Sequence, residues 1–319
     1  MHVSKKWLQI GLSKSGNVWL YNLLRSVARH AGLEQKSFIR NQPIHPIAKK
    51  WDLSFPEQAD IDTLVINPTQ CLYRISSIFS MPIDDLDAYV AGTTHAWTHS
   101  FFGPLSSQVF TRFDRVIYIV RDPRDVAISL SRFNFTPYRL KYYPPSEPDA
   151  KSFLERRFGE ILQQWVEHVA GYLEKKEAFH IHFIFYERLL GAFDDEFRAL
   201  SDFLGITLGP REIAAIKKEV SFENMKIERP QHLRKGESGQ WREALSPKQL
   251  RMADALVGSL LSLLNYPAGN NPNGAGELPH LPGTIDLARL EGILRRARRW
   301  GLLAKAGRAL TFLRRPLRG

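Results

Sequence analysis

The chain has 319 residues, of which 44% are hydrophobic and 11% aromatic, so it can bury a sizeable core and is not a disordered polymer. Its single cysteine, Cys71, excludes an internal disulfide and any cysteine-based zinc or iron–sulfur site. A lone cysteine could be a nucleophile, but the composition favours a small buried apolar residue.

The formal net charge of +11 is unevenly distributed. Residues 284–319 hold ten Arg and Lys against two acidic residues, so the rest of the chain is nearly balanced. A nearly neutral body argues against nucleic-acid binding as the main function. The first apolar stretch is too short for a secretory signal and no run is long enough for a bilayer, so we expect a cytoplasmic protein.

The first predicted elements are a buried strand over Trp7–Leu12 and a helix over Val18–Ala31, joined by a loop that contains Lys14 and Gly16. Such a loop offers backbone N–H groups and a helix N-terminus to an anion, and the lysine adds a mobile charge. It is not the ATP-binding P-loop, because the lysine precedes the glycine instead of following it. An ordinary βα turn is the alternative.

A second strand is predicted to begin at Tyr89–Gly92 and to lead into residues 93–99, and Val116–Val120 is the clearest strand of the chain. The latter ends at Arg121, in the position where ligands of open α/β sheets bind. A helix is predicted from Pro123, with Ser129 about one turn inside it. Arginine and serine here form a small phosphate-binding pair, or else the arginine pairs with an aspartate and the serine is solvated.

The remaining elements alternate between helix and strand, with a Pro- and Tyr-rich lid over residues 134–148 and a strand over His182–Tyr186. Helices are predicted over residues 150–177, 192–204, 210–218 and 246–264. This alternation predicts an α/β fold with a central parallel sheet flanked by helices. Residues 267–283 have a linker composition, which divides the chain into a domain over 1–266, a linker, and a basic helical tail over 284–319.

A third segment of interest is the basic loop Arg234-Lys235-Gly236, followed by Gly239-Gln240-Trp241. It combines two cations, flexible backbone and an aromatic anchor. A generic solvated loop is the alternative interpretation.

Together, the three segments resemble the cytosolic-type sulfotransferase family. That family has a Pro-Lys-Ser-Gly-Thr-Thr-Trp-like loop after its first strand, an Arg at the end of its central strand with a Ser eight residues later, and an Arg-Lys-Gly loop before Gly-Asp-Trp. All three occur in this order over residues 7–266. The resemblance implies a P-loop-NTPase-like sulfotransferase fold and 3′-phosphoadenosine-5′-phosphosulfate (PAPS) as co-substrate, with no metal.

The resemblance also implies a donor-binding site, residue by residue. The loop around the phosphosulfate is Lys14, Ser15, Gly16, Asn17, Val18 and Trp19. The residues around the 3′-phosphate are Arg121, Ser129, Arg234, Lys235 and Gly236. The aromatic side chains beside the adenine are Trp19, Tyr186 and Phe222.

Two histidines compete for the role of general base. The family's catalytic histidine lies 22 residues before the strand-end arginine, which matches His99, whereas His95 lies 26 before it. We therefore expect His99 to accept the acceptor's proton and Lys14 to meet the charge on the leaving phosphate oxygen. The lysine that precedes Thr-His in the family is Trp97 here, so one charge near the sulfate is missing. Val18 similarly replaces a hydroxyl residue of the loop.

Two other classes of function stay open. A nucleotide kinase on the same topology would need a Gly-Lys-Ser/Thr triplet, which the loop lacks. A membrane or nucleic-acid binding protein would act through residues 284–319. The acceptor is expected to be a small molecule, lipid or glycan bound by residues 38–58, 72–105 and 134–148.

The tail raises a choice of its own. As a helix, its apolar side would consist of Leu287, Leu290, Ile293, Leu294, Ala297 and Trp300. Its basic side would consist of Arg289, Arg295, Arg296 and Arg299. This pattern fits an anionic membrane surface, or a helix that packs on the enzyme body or on a second subunit.

Overall fold

The computed structural model describes residues 5–228, 236–266 and 278–313. Its strands are β1 (Trp7–Ile10), β2 (Asp62–Ile66), β3 (Cys71–Ile75), β4 (Phe79–Pro82), β5 (His95–Thr98), β6 (Arg115–Val120) and β7 (Ile181–Phe185). They form one sheet of order β4-β3-β2-β5-β1-β6-β7. The neighbouring strands β2, β5, β1, β6 and β7 pair in parallel. At the β2 edge, β3 and β4 continue the sheet as antiparallel strands.

Helices connect these strands and cover the sheet. The first seven are α1 (Asn17–His30), α2 (His45–Ala48), α3 (Leu86–Ala91), α4 (Ser106–Phe110), α5 (Pro123–Phe133), α6 (Pro137–Tyr142) and α7 (Ala150–Glu174). The next seven are α8 (Tyr186–Gly191), α9 (Phe193–Leu204), α10 (Pro210–Glu219), α11 (Phe222–Glu228), α12 (Trp241–Ala244), α13 (Pro247–Leu263) and α14 (Leu287–Leu313). Two short 3-10 helices occupy Ile39–Asn41 and Pro56–Asp60.

The centre of the sheet is apolar on both faces, because alternate residues of a strand point to opposite sides. Trp7 of β1 and Ile117 of β6 pack with α1, α9 and α10. Their neighbours Leu8 and Tyr118 pack with α7, α13 and the start of α14. The predicted α/β fold with a central parallel sheet between helices is therefore confirmed.

Several local predictions were wrong. Tyr89–Gly92 does not begin a strand, because Asp85 caps α3 by accepting a hydrogen bond from the Ala88 N–H at 2.9 Å. An apolar run of this length fits either element, and the cap decides it. The lid over 134–148 contains α6, and Ser129 lies nearly two turns into α5 instead of one. The strands β2, β3 and β4 were not predicted.

The C-terminal helix α14 packs on α7 and α13. Leu290, Ile293, Leu294 and Ala297 are buried there, whereas Leu287 is 57% exposed. The arginines of the opposite side are exposed: Arg289, Arg295, Arg296 and Arg299. In the part of the chain that the structure describes, we find no helix with the length and apolarity needed to cross a membrane.

Candidate active site

A cavity of about 600 Å³ lies at the carboxyl ends of the parallel strands. The segments that follow β1, β5, β6 and β7 contribute Lys14, His99, Arg121 and Tyr186 to its wall. Other predicted residues that line it are Gly16, Asn17, Val18, Trp19, Ser129, Phe222 and Gly236. Ser15, in the same loop, is buried and is not among the residues that line the cavity. Arg234 and Lys235 lie outside the described residues.

The loop between β1 and α1 has a conformation that its glycine requires. Gly16 has a φ of 99°, and a Cβ there would lie 2.6 Å from the Tyr186 ring. The Asn17 side chain donates a hydrogen bond to the carbonyl of Leu12 at 2.7 Å, which closes the loop at the first residue of α1. Val18 packs in an apolar cluster, so its side chain offers no polar contact to a ligand. Any anion contact in this stretch falls to backbone N–H groups.

Lys14 is a half-buried cation that lines the cavity. Its Nζ lies 4.3 Å from the centroid of the Phe133 ring of α5. Burial, together with the nearby Arg121 charge, lowers the pKa of the ammonium to about 8. Among the described residues Lys14 has no carboxylate partner within ion-pair distance, so the site favours an anion.

Arg121 is held at the end of β6 by contacts on all sides. Its guanidinium donates to the carbonyls of Lys14 at 3.3 Å and Glu237 at 3.0 Å, and lies 4.1 Å from the centroid of the Tyr186 ring. The indole N–H of Trp165 in α7 donates to its carbonyl at 2.9 Å. Its Nε is buried with no hydrogen-bond partner among the described residues, so one strong donor remains for a ligand.

The first turn of α5 organises the loop that carries Gly236. The carboxylate of Asp125 accepts from the N–H groups of Gly239 at 2.6 Å and Trp241 at 3.1 Å. Arg124 is fully buried in an ion pair with Asp122 at 2.6 Å and stacks 3.5 Å from the Trp241 ring. The sequence alone did not assign these roles. The charged residues that follow Arg121 were the signal that could have indicated them.

Three aromatic side chains from distant parts of the chain line one end of the cavity. Trp19 meets Tyr186 edge to face, with ring centroids 5.5 Å apart. Phe222 lies against the backbone of Gly236, where a Cβ would approach its ring to 2.3 Å. The Trp19 indole N–H is buried with no hydrogen-bond partner among the described residues. The end thus offers planar apolar surfaces and one unused donor.

The structure separates the two competing histidines. His99 lines the cavity, whereas His95 is buried beneath α1, stacked 4.9 Å from Tyr21 and hydrogen-bonded to Gln9 at 3.1 Å. The two lie on the same face of β5, but only His99 extends past the end of the strand.

The hydrogen bonds of His99 fix its tautomer. Its Nδ1–H donates to the carbonyl of Gly11 at 2.5 Å, and its Nε2 accepts from the indole N–H of Trp97 at 3.1 Å. The pKa of His99 is lowered to about 3, mainly by burial and next by the charge of Arg74. The imidazole is therefore neutral near pH 7, and in this structure its Nε2 lone pair accepts the Trp97 hydrogen bond.

Comparison with known proteins identifies the family. The model of the sulfotransferase domain matches residues 4–265. The chain belongs to the sulfotransferase family. It is 29% identical to human sulfotransferase 2A1 over 259 residues. This alignment covers 76% of this chain and 79% of the human protein. It is 28% identical over 162 residues to rabbit amine sulfotransferase, which covers 44% of this chain. The chain spans only about half the length of the rabbit relative, 52%.

Solved structures share the fold of this sulfotransferase chain. Mouse sulfotransferase SULT7A1 complexed with PAP superimposes with a TM-score of 0.55 at 23% identity, over 81% of this chain and 84% of the mouse chain. Retinol dehydratase in complex with androsterone and PAP gives a TM-score of 0.52 at 18% identity, over 81% of each chain. The predicted P-loop-like sulfotransferase fold is confirmed by these likenesses.

On the other side of the sulfotransferase cavity lie residues that sequence reasoning did not single out. They are Phe55, Ile61, Thr63, Arg74, Ser76, Tyr138 and Arg139. They fall in or beside the segments expected to bind the acceptor, but β2 and β3, which carry two of them, gave no signal strong enough to place individual side chains.

Proposed function

We propose that this protein transfers a sulfuryl group from PAPS to a hydroxyl or amine of a small-molecule, lipid or glycan acceptor. The observation that carries the proposal is that the loop around Gly16, the strand-end Arg121 and three aromatic side chains line one cavity together with His99. The PAP bound by the two related structures supports the same assignment. A cytoplasmic location is part of the proposal.

The residues present fit a nucleotide with two anionic ends. The loop N–H groups and Lys14 would hold the phosphosulfate, and Trp19, Tyr186 and Phe222 would enclose the adenine. Arg121 and Ser129 would bind the 3′-phosphate, and the buried Nε of the arginine supplies a donor that has no partner in the described residues. We further propose that the basic residues before Gly236 complete this end.

When bound, the donor supplies the sulfuryl group. The chain's own residues accept the acceptor's proton and stabilise the negative charge on the leaving oxygen. His99 presents a neutral Nε2 that takes the acceptor's proton, and its Nδ1–H bond to Gly11 stabilises the resulting imidazolium. Lys14 meets negative charge at the leaving oxygen. Because the indole of Trp97 donates to Nε2 in this structure, the acceptor has to displace that hydrogen bond first.

The test compares nucleotides by thermal unfolding of the full chain. PAP is expected to raise the unfolding temperature, and ATP with magnesium is not. In Arg121→Ala, affinity for PAP should fall far more than affinity for adenosine 5′-phosphosulfate, because the variant loses a charge-assisted bond worth about 1.5–3 kcal/mol. Stabilisation by ATP with magnesium alone would point to a nucleotide kinase and overturn the proposal.

The tail has a separate place in the proposal. Leu290 and Ile293 are covered by the enzyme body, which supports packing over membrane contact through residues 284–319. We therefore propose that α14 is a part of the fold whose exposed side is basic. Co-sedimentation of the full chain with anionic vesicles at low salt would show that this basic side also binds a membrane.

A further inference from the structure

Arg74 is a cation on the acceptor side of the cavity that the transfer mechanism above does not use. It lies opposite Thr63 of β2, which in turn lies beside Trp97 of β5, so the three form a row across the sheet. Residues in one row point to the same face, and His99 follows Trp97 by two residues on that face. With strands about 4.8 Å apart, the Cα of Arg74 lies roughly 10 Å from that of Trp97, within reach of an arginine side chain.

The guanidinium of Arg74 is short of partners. Its Nε is buried with no hydrogen-bond partner, and it forms no ion pair within the described ranges of the chain. Burial lowers the pKa of Arg74, and the charge of Arg74 acts on His99 more strongly than that of Lys14 does. A largely enclosed cation without a counter-charge is costly, so an anion that enters beside it is bound favourably.

No carboxylate of the described residues forms an ion pair with Arg74. Asp125 and Glu237 line the cavity on the donor side, and the aspartate is bonded to two backbone N–H groups of the loop after Gly236. Asp60 is not among the residues that line the cavity, and it pairs with His45 at 2.8 Å and Lys49 at 3.0 Å.

The residues around Arg74 indicate which other chemical groups a ligand would need. Phe55 and Ile61 form an apolar wall that continues to Trp97. The hydroxyl groups of Ser76 and Tyr138 are hydrogen-bonded to each other beside the cavity. A ligand that enters here therefore meets an apolar wall, two hydroxyl groups, the His99 imidazole and the Arg74 cation.

Building on the proposed function, we propose that the acceptor carries a carboxylate, sulfate or phosphate group that Arg74 binds while the acceptor's hydroxyl or amine faces His99. Arg139, which also lines the cavity, adds a further positive charge. The substrate class is thus an amphipathic anion, and Arg74 is a specificity residue.

The experiment measures binding to the full chain saturated with PAP, so that the donor site does not attract the probe. The probes are 4-hydroxyphenylacetate and its neutral isostere 4-hydroxyphenylacetamide, with the corresponding benzoate and propionate pairs to vary the length. Calorimetry is expected to show at least one acid bound about tenfold more tightly than its amide. Arg74→Gln should abolish this preference and Arg74→Lys should keep part of it. Arg198→Gln, which removes an exposed arginine charge from α9, should leave it unchanged.

The outcomes separate this inference from the proposed function. If PAP itself does not bind, the proposed function fails. If PAP binds but acids and amides bind equally, or neither series binds, the anionic-acceptor inference fails alone. Transfer of labelled sulfuryl to both members of a pair adds a second criterion: an equal loss of turnover for acid and amide in Arg74→Gln would assign the arginine to the sulfuryl group and overturn the inference. Retained PAP affinity shows that each variant is folded.

Discussion

At the scale of single residues, burial moves the pKa values of His99 and Lys14 in the cavity, and each move has a chemical consequence. His99 is kept neutral, with its pKa lowered to about 3, and its Nδ1–H is committed to Gly11. Lys14 is kept close to losing its proton, with its pKa lowered to about 8. Both pKa shifts arise mainly from removal of water. An anion bound nearby would favour the charged forms and so raise both pKa values.

Substitution of His99 by alanine should remove the proposed general base. We expect turnover to fall by about a hundredfold or more while the affinity for PAP stays nearly unchanged, because donor binding is assigned to other residues. The measurements are transfer of labelled sulfuryl and calorimetry with PAP.

His95→Ala is the matched control for this prediction. His95 packs against Tyr21 and bonds to Gln9, so its loss should lower the free energy of unfolding while the folded fraction keeps its turnover. The opposite pattern, with His95→Ala inactive and His99→Ala active, would contradict the assignment.

The lowered pKa of Lys14 predicts a pH dependence of donor binding. The charge of the ammonium is present below about pH 8 and is lost above it, so affinity for PAP should weaken as the pH rises through that value. Lys14→Arg keeps its charge over this range, and its affinity should decline less. A wild-type affinity that stays constant from about pH 7 to 9.5 would show that Lys14 does not bind the donor.

At the scale of elements, the first turn of α5 connects β6 to the loop after Gly236. Asp125→Ala removes the carboxylate that accepts hydrogen bonds from the N–H groups of Gly239 and Trp241. Both N–H groups then lack a hydrogen-bond acceptor. We expect the affinity for PAP to fall by about tenfold because the loop loses its anchor.

Asp195→Ala provides the control for the loop, since Asp195 is an exposed acid of α9 that pairs only loosely with Arg198 at 3.5 Å. It should leave PAP affinity unchanged. An Asp125→Ala variant that binds PAP as tightly as the wild type would show that this anchor does not serve the nucleotide.

At the scale of the whole molecule, α14 closes one face of the domain against α7. Leu290→Ala should lower the free energy of unfolding by about 2–5 kcal/mol, as expected for a leucine with no exposed surface. Leu287→Ala removes the same atoms from a side chain that is 57% exposed and should cost much less. Urea denaturation measures both, and equal effects would contradict the packing of α14.

The sequence by itself was enough to predict the donor half of the proposed site. The loop around Gly16 and the strand that ends at Arg121 are contiguous segments, and a backbone anion site is encoded by the few residues that build a βα turn. Their order along the chain was enough to recognise the sulfotransferase family, which the domain model over residues 4–265 confirms. The long helices were predicted for the same reason, because their apolar spacing is local.

Only the tertiary structure shows which residues line the proposed acceptor half. His95 and His99 share one face of β5, and it is the end of that strand that brings one of them into the cavity. Arg74 reaches the same cavity from β3, a short half-buried strand whose place depends on pairing with β2. The apolar side of α14 looked equally suited to a membrane until α7 was seen to cover it. Each of these outcomes depends on contacts between residues far apart in the chain, which no local pattern records.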